Sequence, residues 1–284
     1  MQQSLSNWLG MTKYFLIGIA VIAAVLAGAG FVYRGEIRRA IRVATGVVSH
    51  EICSGVFVSG LQADQIFAEN IKPRPGLSLI AWGLAYTVDA EHHTVTATFQ
   101  GGFANRAVFR YGLGCQVVHD LEPANAQPPA PEVAARPQLA ALLPEIAGSA
   151  VVEPADDKLC TALDRAFAEP DHGRARRTKA VVVVQDGHVI AERYAPGYGP
   201  DTPLISYSVA KSMTNALLGI LVREGRLSVD APAPVAAWQG ADDPRRRITI
   251  DQLERMTSGL AIDELNTGFD PWSRALYLER DIAV

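Results

Sequence analysis

The chain has 284 residues, 49% hydrophobic and 20% charged, with a formal net charge of −4. This length holds one large domain or two modest ones, with enough chain to bury a real core. The slightly acidic balance gives no electrostatic case for nucleic acid as a partner.

Residues 14–33, from Tyr14 to Tyr33, are uncharged and strongly apolar between Lys13 and Arg34. The segment is long enough to span a bilayer as one helix, and its being apolar all round at the N-terminus favours that reading over a buried core helix. Ala27-Gly28-Ala29 has the A-x-A pattern of a signal-peptidase site, but the preceding region is long and carries only Lys13, which favours an uncleaved anchor over residues 1–34. Arg34, Arg38, Arg39 and Arg42 follow it, and the positive-inside rule would hold that side in the cytoplasm.

Residues 35–120 read as a small β-rich accessory module. Glu36 to about Val48 suits a juxtamembrane helix. Strands are expected at Leu77–Val88, Thr94–Phe99 and Arg106–Tyr111, parted by Asp89–His93 and Gln100–Gly102. The alternation in Thr94-Val95-Thr96-Ala97-Thr98-Phe99 indicates a half-buried sheet. His92 and His93 are adjacent and fit surface positions near a turn better than metal ligation. Cys53 and Cys115 bracket the module, each close to a glycine. In an oxidising compartment a disulfide between them would staple a small core; two buried free thiols are the alternative. With Cys160 they complete the cysteines, which lack Cys-x-x-Cys spacing, and no His pair is arranged for zinc. Neither metal nor cofactor is expected.

Residues 121–150 are rich in Pro and Ala and read as a semi-rigid linker. The remainder, residues 151–284, reads as a second domain. A short helix carries Leu159, Leu163 and Phe167 as its apolar stripe. Ala180–Val184 and His188–Tyr194 form a hairpin about Asp186-Gly187. The Gly- and Pro-containing loop Ala195–Pro203 leads to a further helix, on which Met213, Leu217, Ile220 and Leu221 share a face and after which Gly225 is the stop. Asp242, Asp243 and Arg245–Arg247 suit a solvated turn. Thr249 and Gln252 form a capping box ahead of Leu253 and Met256.

The stretch around which this domain is organised is Ser208-Val-Ala-Lys211, at the mouth of that second helix. At i and i+3 the two side chains share one helix face, bringing an amine within reach of a hydroxyl. A serine hydroxyl is a weak nucleophile until a neighbouring base takes its proton, and a lysine serves as that base when burial and a helix start disfavour its charged form. The same helix start would offer the Ser208 backbone N–H to an oxyanion. The tetrad occurs by accident about once in a chain of this length, so its neighbours must carry the assignment.

Those neighbours carry a resemblance. The hairpin, Ser208-Val-Ala-Lys211-Ser212, Glu224-Gly225-Arg226-Leu227-Ser228-Val229-Asp230, Ile248-Thr249-Ile250 and Met256-Thr257-Ser258-Gly259-Leu260 together resemble the first half of a serine beta-lactamase-related hydrolase. The similarity is greatest to class C-like enzymes and the 6-aminohexanoate-dimer hydrolase group. Cys53–Ser59 and Gly112–Cys115 are similar to leader modules of membrane-linked members.

The resemblance implies an α+β, beta-lactamase/transpeptidase-like fold: an antiparallel sheet flanked by helices, an all-α subdomain, and the active serine at the start of the central helix. It implies acylation of Ser208 by a small-molecule amide or ester, with Lys211 in the proton relay, in a protein anchored in the inner membrane by residues 14–33 and facing the periplasm. Members also carry a Tyr-x-Asn or Ser-x-Asn motif and a Lys-Thr-Gly or His-x-Gly strand. Neither is found between Lys211 and Val284. The expectation is therefore an incomplete fold, an N-terminal portion that is inactive or nearly so alone. Two further readings stand beside it, a penicillin-binding D-alanyl peptidase and a non-catalytic membrane-tethered binding protein.

Overall fold

The computed structural model describes residue 28 and residues 30–118, 151–261 and 268–279. Most of the apolar segment 14–33 and the whole of the linker 121–150 lie outside these. The chain divides into two compact units, Met1–Thr202 with Glu264–Val284, and Pro203–Asp263.

The first unit is built on α1 (Gly30–Val58), whose final turn, Ser54–Val58, widens to a π-helix. The juxtamembrane helix expected to end near Val48 instead runs on to Val58. The reason is its burial: Val43, Ala44, Val47, Val48, Ile52 and Cys53 form an apolar face that is sealed in the core. Thr45 and Ser49 are equally buried and satisfy their hydroxyls within the helix. Thr45 Oγ1 donates to the Arg42 carbonyl at 3.1 Å, and Ser49 Oγ donates to the Gly46 carbonyl at 3.0 Å. By length and composition α1 could cross a membrane, yet 61% of its most apolar stretch is buried within the protein.

Two short helical pieces follow, α2 (Ala63–Ile66), which runs on as a wider turn Phe67–Ile71, and α3 (Leu77–Ile80). Ile66 and Ile71 enter the core, and a Cβ at Gly55 would overlap the Ile66 side chain. The expected strand Leu77–Val88 is corrected here: α3 and the 3-10 turn Ala81–Gly83 occupy its first half, and the strand begins at Leu84. Leu77 and Leu84 are buried while Leu79 and Trp82 are exposed, a helical rather than alternating pattern. Gly76, at φ 85°, turns the chain into α3.

β1 (Leu84–Asp89), β2 (Thr94–Phe99), β3 (Gly102–Arg110) and β4 (Gly114–Val118) form an antiparallel meander in sequence order. β3 begins earlier than the expected Arg106, and β4 adds a fourth strand beyond the expected three. Val95 pairs with Ala107, and both are fully buried. His92 and His93 lie in the β1–β2 turn. There Asp89 bonds the His92 ring nitrogen at 2.8 Å, while the His93 ring packs on Phe57.

β4 carries Cys115 to the end of α1, where it is disulfide-bonded to Cys53 across a separation of 62 residues. The pair is therefore not two free thiols; Cys160 is the free cysteine.

α4 (Asp157–Phe167) starts at Asp156, whose carboxylate accepts the Lys158 N–H, and buries Leu163 as expected. β5 (Ala180–Gln185) and β6 (His188–Tyr194) form the expected hairpin. Asp186 at φ 50° and Gly187 at φ 82° give the doubly left-handed turn that matches strand twist. Buried Glu192 accepts the Val152 N–H and the Tyr194 hydroxyl. Burial, and then this hydrogen bond, push the Tyr194 phenol up to about 12.

The segment before β5 is tied to α2's extension: Lys179 pairs with Glu69, and Arg177 Nη1 donates to the Glu69 carbonyl at 2.8 Å. Burial pushes the Glu69 carboxyl up, but Lys179, with Gln65 and Arg177, more than offsets this and holds it below its usual 4.5.

In the second unit the 3-10 turn Tyr207–Val209 enters α5 (Ala210–Arg223). Gly225, at φ 69°, stops it, with the Arg226 N–H reaching back to the Leu221 carbonyl at 2.9 Å. Met213, Leu217 and Ile220 are exposed along α5. Asp243 caps the exposed turn Pro244–Arg247 and pairs with Arg245, as a solvated turn requires. The Thr249–Gln252 capping box is complete at the head of α6 (Ile250–Glu254).

The last helix, α7 (Pro271–Tyr277), belongs to the first unit and lies on α1. Tyr277 packs against Gly46, where an added Cβ would stand 3.0 Å from it, and Arg274 pairs with Glu36.

Closing the Cys53–Cys115 loop removes about 4 kcal/mol of unfolded-state entropy on the chain-entropy scale. Reductant, or Cys53→Ser with Cys115→Ser, is expected to lower first-unit stability by that order, read by thermal melts with and without reductant. The Glu69 contact contributes stability present above pH 4.5 and lost as pH falls through the depressed folded value. The melting difference between the parent chain and Glu69→Gln is therefore expected to shrink on acidification from pH 7; a difference that stays constant would contradict this.

Candidate active site

Ser208 is the middle residue of the 3-10 turn Tyr207–Val209, and Lys211 is the second residue of α5. The structure brings the two together: Lys211 Nζ and Ser208 Oγ are 3.0 Å apart and hydrogen-bonded. This follows from the spacing, because i and i+3 positions lie over one another at a helix start. That separation serves proton transfer in either direction. Ser208 also falls among the first residues of the helical run, whose N–H groups have no acceptor within the helix and point toward its open end.

Tyr207 has φ 45°. A bulky aromatic residue rarely adopts this left-handed region, where its Cβ crowds the following carbonyl. The strain sits directly before Ser208 and forces the sharp entry that places the hydroxyl at the helix mouth. Residue type and spacing do not single out Tyr207, because its side chain carries no role in the motif and only its backbone is unusual.

Ser208 and Lys211 are both exposed. Enclosure, which strengthens charge interactions and excludes water at a reacting centre, is not furnished by residues 203–261 themselves. Thr257-Ser258-Gly259-Leu260 follows α6 as an irregular turn, with Met256 at φ 56° and Gly259 at φ 74°. The Thr257 N–H returns to the Gln252 carbonyl at 2.8 Å. Among the described residues no cluster of His, Cys, Asp and Glu is disposed to hold a metal ion.

Replacing Tyr207 by Gly removes the Cβ clash and is expected to stabilise the second unit by about 1 kcal/mol, whereas Tyr207→Ala keeps the clash and does not. Urea melts of both variants check this; equal effects would place the contribution in the ring rather than the backbone.

No curated protein and no solved structure matches the chain. Residues 163–281 match the family model described as Beta-lactamase, a stretch that takes in the C-terminal end of α4, the β5–β6 hairpin, Ser208, Lys211 and α7. Over this C-terminal part, where a hairpin is followed by a serine–lysine pair at a helix mouth, the chain is similar to the serine beta-lactamase-related superfamily.

Proposed function

We propose that this protein is a membrane-anchored serine hydrolase that cleaves an amide or ester bond of a small-molecule substrate through an acyl-enzyme on Ser208. The observation that carries this is the 3.0 Å Ser208–Lys211 contact at a strained helix entry, within the matched segment. In this reading the Lys211 amine accepts the Ser208 proton as Oγ attacks the carbonyl carbon. The oxyanion is received by the Ser208 N–H, and the proton passes to the leaving amine or alkoxide. Water then attacks the acyl carbon and restores the serine. The remaining catalytic groups implied by the resemblance, Tyr-x-Asn and Lys/His-x-Gly, are not among residues 212–284, and the mechanism needs them beside Ser208 and Lys211.

The layout proposed is an anchor over residues 1–34 that crosses the inner membrane through residues 14–33, an accessory module 35–120, a linker 121–150 and a hydrolase segment 151–284. The hydrolase segment faces the periplasm. The Cys53–Cys115 disulfide supports that compartment, since such bonds persist where thiols are oxidised. Arg34, Arg38, Arg39 and Arg42 pull the other way under the positive-inside rule.

The open setting of Ser208 and Lys211 favours a second reading, a membrane-tethered binding protein that retains the fold without the chemistry. A serine-reactive fluorophosphonate, applied to the product of the complete reading frame, separates the two. The hydrolase reading expects covalent labelling that Ser208→Ala abolishes, with hydrolysis falling roughly a thousandfold or more. Absent labelling of folded protein favours the binding protein. Strong, persistent labelling by a fluorescent penicillin instead assigns a D-alanyl peptidase.

A further inference from the structure

The accessory module presents one end to the side from which the chain enters. β3 runs alongside α1 in the same direction. Near its start Asn105 donates to the Arg42 carbonyl and to Thr45 Oγ1, and near its end Phe109 stacks on Phe57 with ring centroids 6.0 Å apart. The Cys53–Cys115 bond lies at that second end. The β2–β3 turn must therefore point toward the N-terminal end of α1.

The segment preceding β1 shares that end. The Gln100 N–H donates to the Gly83 carbonyl at 2.8 Å, and Trp82 packs edge-on to Phe99 at 5.6 Å between centroids. Large apolar side chains are bare there: Trp82 is 72% exposed and Phe103 37%, and Leu79, three residues before Trp82 in the same helical stretch and so on its side of it, is 78% exposed. On α1, Phe31, Val32 and Tyr33 are exposed too; the exposed Arg34, Arg38 and Arg39, the last paired with Glu36, lie between the two apolar groups along the helix, and Arg42 lies just above them. The opposite end exposes Tyr111 and Leu113, but beside a turn carrying Asp89 and Glu91.

Helix and strand rises test whether these groups can meet one surface. Thr45 to Arg34 spans about 16 Å along α1, and Asn105 to Phe103 descends about 7 Å on the same side. The Phe103 backbone thus stands about 9 Å above the level of Arg34, a gap that a large side chain and a headgroup layer roughly 5–8 Å deep can close. Trp and Tyr favour that layer because their rings are apolar with a polar edge, and a basic collar attracts acidic headgroups.

We propose that the end of the module bearing Leu79, Trp82 and Phe103 is seated in the headgroup layer of the bilayer that the N-terminal segment crosses, with acidic lipid headgroups against the Arg34–Arg42 collar. The proposal rests on the anchor reading of residues 14–33. It makes α1 the axis of a two-point attachment, one point the span and the other the rim of the sheet, which fixes the module's orientation to the membrane.

The test uses the whole chain, Cys160→Ser, in bilayers containing phosphatidylglycerol, with a nitroxide on Leu79→Cys or, as control, on Tyr111→Cys. Both positions are exposed, and thiol titration without reductant confirms that Cys53 and Cys115 stay bonded. The expected result is that the label at 79 is reached more readily by oxygen than by a water-soluble nickel chelate, and the label at 111 the reverse, with the contrast reduced in purely zwitterionic lipid. If alkali fails to extract the chain and both labels behave as in water, the anchor stands and the seating is overturned. If alkali releases the chain, the anchor reading fails and the seating falls with it.

Discussion

The burial of α1 between Val43 and Cys53 is the constraint on which the first unit depends. A helix carrying this many small and β-branched apolar residues on one face must cover them, and the meander β1–β4 does so with Val95, Ala97 and Ala107. Small residues, Ala44 within the core and Gly46 beneath Tyr277, let neighbours approach closely enough to exclude water. Once α1 is held, Cys53 is carried to Cys115, Ile66 and Ile71 close one flank, and α7 rests on another. Substitutions in that face act by leaving voids that rigid neighbours cannot fill.

This arrangement also gives α1 two characters along its length. Its N-terminal turns expose Phe31, Val32 and Tyr33, and its C-terminal turns are a protein core. Composition averages over both, so length and hydropathy alone would read the whole helix as a span. A membrane span must be apolar toward lipid all round, whereas the buried half of α1 is apolar toward its own sheet. The continuous helix couples the two, so whatever sets the tilt of its first turns sets the posture of the module.

The serine–lysine pair follows a different logic. Its contact is local, three residues apart on one helix start, and needs no tertiary partner to form. What catalysis needs beyond proximity is a preorganised, water-poor surrounding with donors aimed at the developing oxyanion. Such surroundings come from segments distant in sequence. The strained Tyr207 entry is the point at which local geometry already shows a constraint beyond ordinary helix initiation.

Local chemistry was legible in the sequence by itself. The Asp186-Gly187 turn, the Thr249–Gln252 box, the Leu163 stripe, the Gly225 stop and the Ser208–Lys211 pairing all depend on residues within a few positions of one another, so residue type and spacing determine them. Tertiary structure decided the rest. Leu77–Gly83 is helical because Leu77 and Leu84 both turn into the core, and a short apolar run carries no period that distinguishes helix from strand. β4 exists because β3 offers it an edge, and α1 extends to Val58 because a sheet formed later in the chain covers it. The cysteines left two outcomes open until β4 brought Cys115 within 6.1 Å of Cys53, measured between their Cα atoms. Proximity across 62 residues is a property of the packed chain, and no local pattern encodes it.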